Sequence, residues 1–293
     1  TPADLTGTTQ VNAVSGESTF SDLSFAKNGA LFALSFTAPN MVGVVVSVRF
    51  NVNGVLAFIS PPSTTLAGDG MAVVLEIRND AGTKLADAGT TVTALITTDG
   101  HASGSSGLTG GSAVAVAGTA TFALVINKNG AGFKLTFSGT ALVPLESDAF
   151  VIQGKLLIST QPSDVIAGAT MSNVVVQVVD SSNTVIDSAV GAVTATIKSG
   201  TGTVGSTLSG GTAAVSSGVA TFYGISIDRN GAGFKLEFTS ANMVADVDSS
   251  AFVIQDKLLI SSVSSTTAVG ADTAVLHSRA ACGGTIDTMA AQC

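Results

Sequence analysis

One run of the chain, Asp99-Gly100-His101-Ala102-Ser103, offers a carboxylate, an imidazole and a hydroxyl within a few positions. A carboxylate that orients an imidazole, which in turn activates a hydroxyl, is the arrangement of nucleophilic hydrolysis. Neighbours in sequence seldom form that relay, however, and no Gly-x-Ser-x-Gly elbow accompanies it. The corresponding loop further along, Ser199-Gly200-Thr201, has no histidine. Phosphate-binding loops, dinucleotide fingerprints and HExxH are missing as well. No catalytic residue, cofactor site or metal site is expected, and the chain reads as a protein that is not an enzyme.

Two cysteines, Cys282 and Cys293, lie close together near the end of the sequence. In a secreted protein they read as one disulfide, worth about 2–4 kcal/mol; free or intermolecular thiols are the alternative. Only His277 lies near them, too few ligands for a tetrahedral metal. Asp180 and Asp187, with Asp80 and Asp87 at the matching places one module earlier, supply the hard oxygens that Ca2+ takes, but an Asp also caps its own turn, the commoner use. Lys128, Lys134 and Lys155, recurring as Arg229, Lys235 and Lys257, read as solvated faces rather than as partners in isopeptide bonds.

The elements that would carry such residues repeat. Gly130-Ala131-Gly132-Phe133-Lys134-Leu135 returns 101 positions later as Gly231-Ala232-Gly233-Phe234-Lys235-Leu236. Ala149-Phe150-Val151-Ile152-Gln153 returns as Ala251-Phe252-Val253-Ile254-Gln255, and Lys155-Leu156-Leu157-Ile158-Ser159 as Lys257-Leu258-Leu259-Ile260-Ser261. Self-similarity at a fixed period is the signature of tandem modules. Within a module, Phe133, Leu135 and Phe137 alternate with Lys134 and Thr136, the period of a strand with one buried face. Asn129-Gly130 and Asn230-Gly231 read as hairpin turns. Short strands separated by turns predict an all-β chain of immunoglobulin-like two-sheet sandwiches, each about 100 residues long.

Composition agrees. Aromatic residues are 5% of the chain and Trp is absent, so the apolar content is mostly Val, Ala, Leu and Ile. Charged residues are only 11%, against about 25% in an average soluble protein. The net charge of −8, with no Lys/Arg cluster, argues against nucleic acid as a partner. The longest apolar run, Met41 to Val48, is far short of a membrane-spanning helix, so membrane insertion is not expected. A start at Thr1-Pro2-Ala3 fits a processed, extracellular protein.

The run Lys155 to Ser163, then Ala167-Gly168, Val176 to Asp180, Leu208-Ser209-Gly210, Gly218 to Phe222 and Ile227-Asp228 resembles bacterial immunoglobulin-like repeats of cell-surface adhesin and filament proteins. The resemblance covers two complete modules well, 55–154 and 155–256, and the flanking segments 1–54 and 257–293 weakly. It implies an adhesin, stalk or filament role at the cell surface, though fold alone does not fix function.

The flanking segments read as complementary halves of a module. Leu5 aligns with Leu108 and Leu208, so 1–54 carries the second half; 257–293 begins like 155 and carries the first. A half-sandwich exposes an apolar face and unpaired edges that invite another chain. The expectation is a homopolymer in which the tail of one subunit completes the head of the next by strand donation. Leu258, Ile260, Val275 and Leu276 are the expected donated side chains, and Phe20, Phe32, Leu34 and Phe36 the receiving face. The alternatives are a stalk fragment of a large adhesin that binds glycan or protein, and a non-catalytic accessory region of a secreted enzyme.

Overall fold

The computed structural model describes residues 5–86, 89–101, 104, 106–263 and 276–280, with backbone alone for the strands Leu258–Val263 and Leu276–Ala280. All regular structure among these residues is β. The chain divides into two compact units, Thr1–Gln153 and Gly154–Cys293.

In the first unit, residues 54–153 form a sandwich. One sheet runs in the order Leu108–Thr109, Thr119–Ile126, Gly70–Arg78, Gly54–Ser60, Leu142–Val143. The other runs Ser112–Val114, Thr91–Thr98, Gly130–Gly139, Phe150–Gln153, Thr65–Leu66, with Leu145–Glu146 added beside Gly130–Gly139. Most neighbours are antiparallel, but Thr65–Leu66 runs parallel to Phe150–Gln153, and Leu142–Val143 parallel to Gly54–Ser60. The predicted alternation holds: Phe133, Leu135 and Phe137 are fully buried, while Lys134 and Thr136 face outward. They meet Val73, Leu75, Ile77, Phe122 and Leu124 from the opposite sheet to make the core. Each such aromatic or aliphatic side chain contributes roughly 1.5–3 kcal/mol by leaving water.

Residues 155–255 in the second unit repeat this plan. Lys155–Thr160 pairs with Val174–Val179, which pairs with Val219–Phe222. Val165–Ile166 runs parallel to Phe252–Gln255. Phe222, Phe234, Leu236 and Phe238 fill the same core places.

The turn chemistry differs from the sequence reading. Asn129-Gly130 is not a hairpin, because Thr119–Ile126 and Gly130–Gly139 belong to different sheets and the dipeptide is the crossover between them. Gly130 is required for closeness: a Cβ there would lie 2.3 Å from the Gly100 carbonyl oxygen. The tight turns are Ala117-Gly118 and Ser217-Gly218, where both residues have positive φ, the conformation that matches strand twist in a two-residue hairpin.

Candidate subunit interface

Residues 5–53 reproduce, pair by pair, the second part of each sandwich. Leu5–Thr6 pairs with Ser24–Phe25 as Leu208–Ser209 pairs with Ser226–Ile227. Phe32 stands opposite Phe50 as Phe133 does Phe150 and Phe234 does Phe252. Phe36 stands opposite Val45 as Phe137 does Leu145 and Phe238 does Val247. The two-residue turn is there too, with positive φ at Ser15 and Gly16.

A serine holds the same local fold in all three. The Leu34 N–H donates to Ser47 Oγ at 2.9 Å, and that hydroxyl donates to the Val48 carbonyl at 2.9 Å. Ser147 does so between Leu135 and Asp148, and Ser249 between Leu236 and Ser250. A single serine that satisfies a strand N–H and the next carbonyl has no signature in composition or period, so its role is not legible in the sequence.

What differs is burial. No residue from 5 to 53 is buried; Phe20, Phe32, Leu34 and Phe36 are each half-exposed, although their counterparts in the sandwiches are at most 2% exposed. The glycines mark which neighbours are lacking. A Cβ at Gly7 would meet the Asp22 carbonyl at 2.2 Å, much as one at Gly110 would meet Ala123. At Gly118 and Gly218 a Cβ would strike the Leu85 and Ile186 carbonyls, which come from the first part of their sandwiches, whereas around Gly16 there is open space. Met41, Val42, Val44, Val45, Val46 and Val48 add exposed apolar surface beside this face.

At the other end, Leu258–Val263 pairs with Leu276–Ala280. The pairs Leu258↔Ala280, Leu259↔Arg279 and Ile260↔Ser278 are followed by a bulge and then Ser262↔His277. This is the register, bulge included, of Lys155–Thr160 on Val174–Val179 and of Gly54–Ser60 on Gly70–Arg78. By register Leu258 stands where Leu56 and Leu156 are buried, Leu276 where Val73 and Val174 are buried, and Ile260 at the half-buried place of Phe58 and Ile158. Val275, Cys282 and Cys293 lie outside the described residues, as does Asp87.

The remaining polar candidates serve loops. His101 is buried, its Nδ1 2.6 Å from the Asn129 carbonyl oxygen. The Asp99 carboxylate accepts the backbone N–H groups of His101 and Ser106 and the Ser106 hydroxyl. Partial burial works against its ionisation, but these donors outweigh it and hold its pKa below the ordinary value. Asp99 thus caps a loop and does not orient the imidazole; Ser103 lies outside the described residues.

Asp180 Oδ1 accepts the Ser182 and Thr184 N–H groups, a turn cap as expected. Its counterpart is Asn79, which accepts from Thr83, and not Asp80 as the sequence alignment had it. Among the described residues no three His, Cys, Asp or Glu side chains gather to hold a metal. No helix among the described residues is long and apolar enough to cross a membrane.

No family model and no curated protein matches the sequence. Among solved structures, domains 5–6 of the S-layer protein SbsC match at 13% identity over 69% of this chain and 99% of that one, with a TM-score of 0.25. The Escherichia coli adhesin FdeC matches at 15% identity over 71% of this chain and 67% of that one, TM-score 0.28. Titin domains I67–I69, a three-Ig structure, match at 14% identity over 76% of each chain, TM-score 0.31. The chain is similar to tandem immunoglobulin-like domains of these kinds.

Proposed function

We propose that this chain is an extracellular, cell-surface structural subunit that assembles head to tail into a filament, without catalysis. Two complete modules, 55–154 and 155–256, separate a half-module at each end. Residues 257–293 of one copy complete the sandwich begun by 1–54 of the next, adding strands to its open edges. Leu258, Ile260 and Leu276, with the adjoining Val275, pack against Phe20, Phe32, Leu34 and Phe36.

One observation carries this reading: the paired strands Leu258–Val263 and Leu276–Ala280 hold the register of Gly54–Ser60 with Gly70–Arg78 and of Lys155–Thr160 with Val174–Val179, while residues 5–53 hold the pairings of the stretches that begin at Leu108 and Leu208, with their core face open. A contact between unlike ends of identical chains is heterologous, so it propagates.

The test is sedimentation velocity and negative-stain electron microscopy of the purified full chain over a range of concentrations. Filaments with an axial repeat of about three modules support the proposal, and the double variant Leu258→Asp/Ile260→Asp should remain monomeric with both central modules folded. A wild-type chain that stays monomeric at every concentration overturns it, and favours the reading as part of an adhesin stalk.

A further inference from the structure

We infer that docking is keyed by an ion pair between copies, Arg279 of the donated strand lying directly opposite Glu17 of the receiving subunit. This rests on the head-to-tail reading and adds to it a register and a charge match.

The register follows from the two sandwiches. Strand Gly70–Arg78 faces Thr119–Ile126 with Val73↔Phe122, Val74↔Thr121, Leu75↔Ala120 and Glu76↔Thr119. Strand Val174–Val179 faces Val219–Phe222 with Val174↔Phe222, Val175↔Thr221, Val176↔Ala220 and Gln177↔Val219. On the receiving side, Glu17 follows the Ser15-Gly16 turn as Thr119 follows Ala117-Gly118 and Val219 follows Ser217-Gly218. Phe20, three residues on, contacts Phe36 at 5.6 Å as Phe122 contacts Phe137 and Phe222 contacts Phe238.

On the donated side, Arg279 is opposite Leu259 as Gln177 is opposite Leu157 and Glu76 opposite Ala57. Transferring the shared pairing sets Leu276 against Phe20, His277 against Thr19, Ser278 against Ser18, and Arg279 against Glu17. A slip by one residue would turn every apolar side chain to the wrong face, so register is tightly specified where one face is buried.

The charge match is specific because charges are scarce, at 11% of the chain. The same place in the first sandwich already holds ionic contacts: Glu76 lies 3.0 Å from the Arg78 guanidinium and 3.4 Å from Lys84 Nζ, and Lys84 reaches Thr119, the residue opposite. Glu17 is exposed. Opposite charges directly across antiparallel strands favour pairing and like charges oppose it. The occupant this selects is a second copy of the same chain.

The experiment reverses the charges on the full chain and measures the association constant by sedimentation. Glu17→Arg and Arg279→Glu should each weaken association about 3–10-fold, and the double reversal should restore it to within about two-fold of wild type. Mixing the two single variants should also recover mixed association, because both junctions between unlike variants regain opposite charges. If the single effects multiply in the double variant, or neither reversal changes association while wild type assembles, the register is wrong and head-to-tail assembly stands. If wild type never associates, both fall.

Discussion

The rings of Phe20 and Phe36 meet with centroids 5.6 Å apart, the contact that Phe122 and Phe137 make at 5.4 Å and Phe222 and Phe238 at 5.3 Å. The same contact is sealed in two places and half-open in the third. Phe137→Ala should therefore cost about 3–5 kcal/mol in the unfolding of its sandwich, whereas Phe36→Ala in dilute, unassembled chain should cost only about 1 kcal/mol. Hydrogen exchange of the flanking strands reads both. Equal costs would mean that the face carrying Phe36 is already covered in the free subunit.

Leu31 has φ of 62°, at the place where Gly132 and Gly233 sit at 86° and 73°. A leucine in the left-handed region is strained by about 1–2 kcal/mol because its Cβ crowds the following carbonyl. Replacing it with glycine should stabilise the strand Gly29–Phe32 by about 1 kcal/mol, seen as slower amide exchange. Gly132→Leu should destabilise its own strand by at least as much. A destabilised Leu31→Gly variant would show that the Leu31 side chain has a partner worth more than the strain.

Ser147→Ala removes the acceptor for the Leu135 N–H and the donor for the Asp148 carbonyl in a buried place. The expected loss is about 1–3 kcal/mol, from leaving backbone groups unpaired. Ser249→Ala should do the same in the second unit. Denaturant unfolding of each variant checks this, and a loss below about 0.5 kcal/mol in both would mean that water replaces the hydroxyl.

Asp99 contributes stability with a definite pH dependence. Its pKa is lowered in the folded chain, so its contribution is fully present above the unfolded carboxylate value of 3.8 and disappears as pH falls through the lower folded value. Asp99→Asn should cost about 1–2 kcal/mol near neutral pH, since one amide oxygen replaces two carboxylate acceptors. The gap between wild type and variant should narrow below about pH 4. A gap that stays constant down to pH 2 would remove the charge from the account.

The repeat and the alternation at Phe133, Leu135 and Phe137 were legible because period and burial are both consequences of residue type. The Asn-Gly steps misled because glycine serves two ends, positive φ and close approach, and at Gly130 it is the Gly100 carbonyl that excludes a side chain. The real turns use Ala117 and Ser217 in the left-handed region, residue types that give no signal of it. Placing Asp80 beside Asp180 failed by one position because the turn is defined by its hydrogen bonds, which Asn79 makes. The apolar residues of the candidate face were readable from the alignment. The pairing of Arg279 with Glu17 was not, because it needs the register of the bulged strand pair.

The parallel pairs have a mechanical consequence. Thr65–Leu66, near the start of the first sandwich, lies alongside Phe150–Gln153 at its end, with Ala67 N–H donating to Gln153 at 2.8 Å. Val165–Ile166 lies against Phe252–Gln255 in the same way, with Ala167 N–H donating to Gln255. Tension applied to the two ends of either sandwich pulls these strands past one another lengthwise. Their hydrogen bonds are then strained together in shear and must rupture as a set, where strands peeled from a hairpin end would give way one bond at a time. Each sandwich is built to resist stretching along the direction in which its chain enters and leaves.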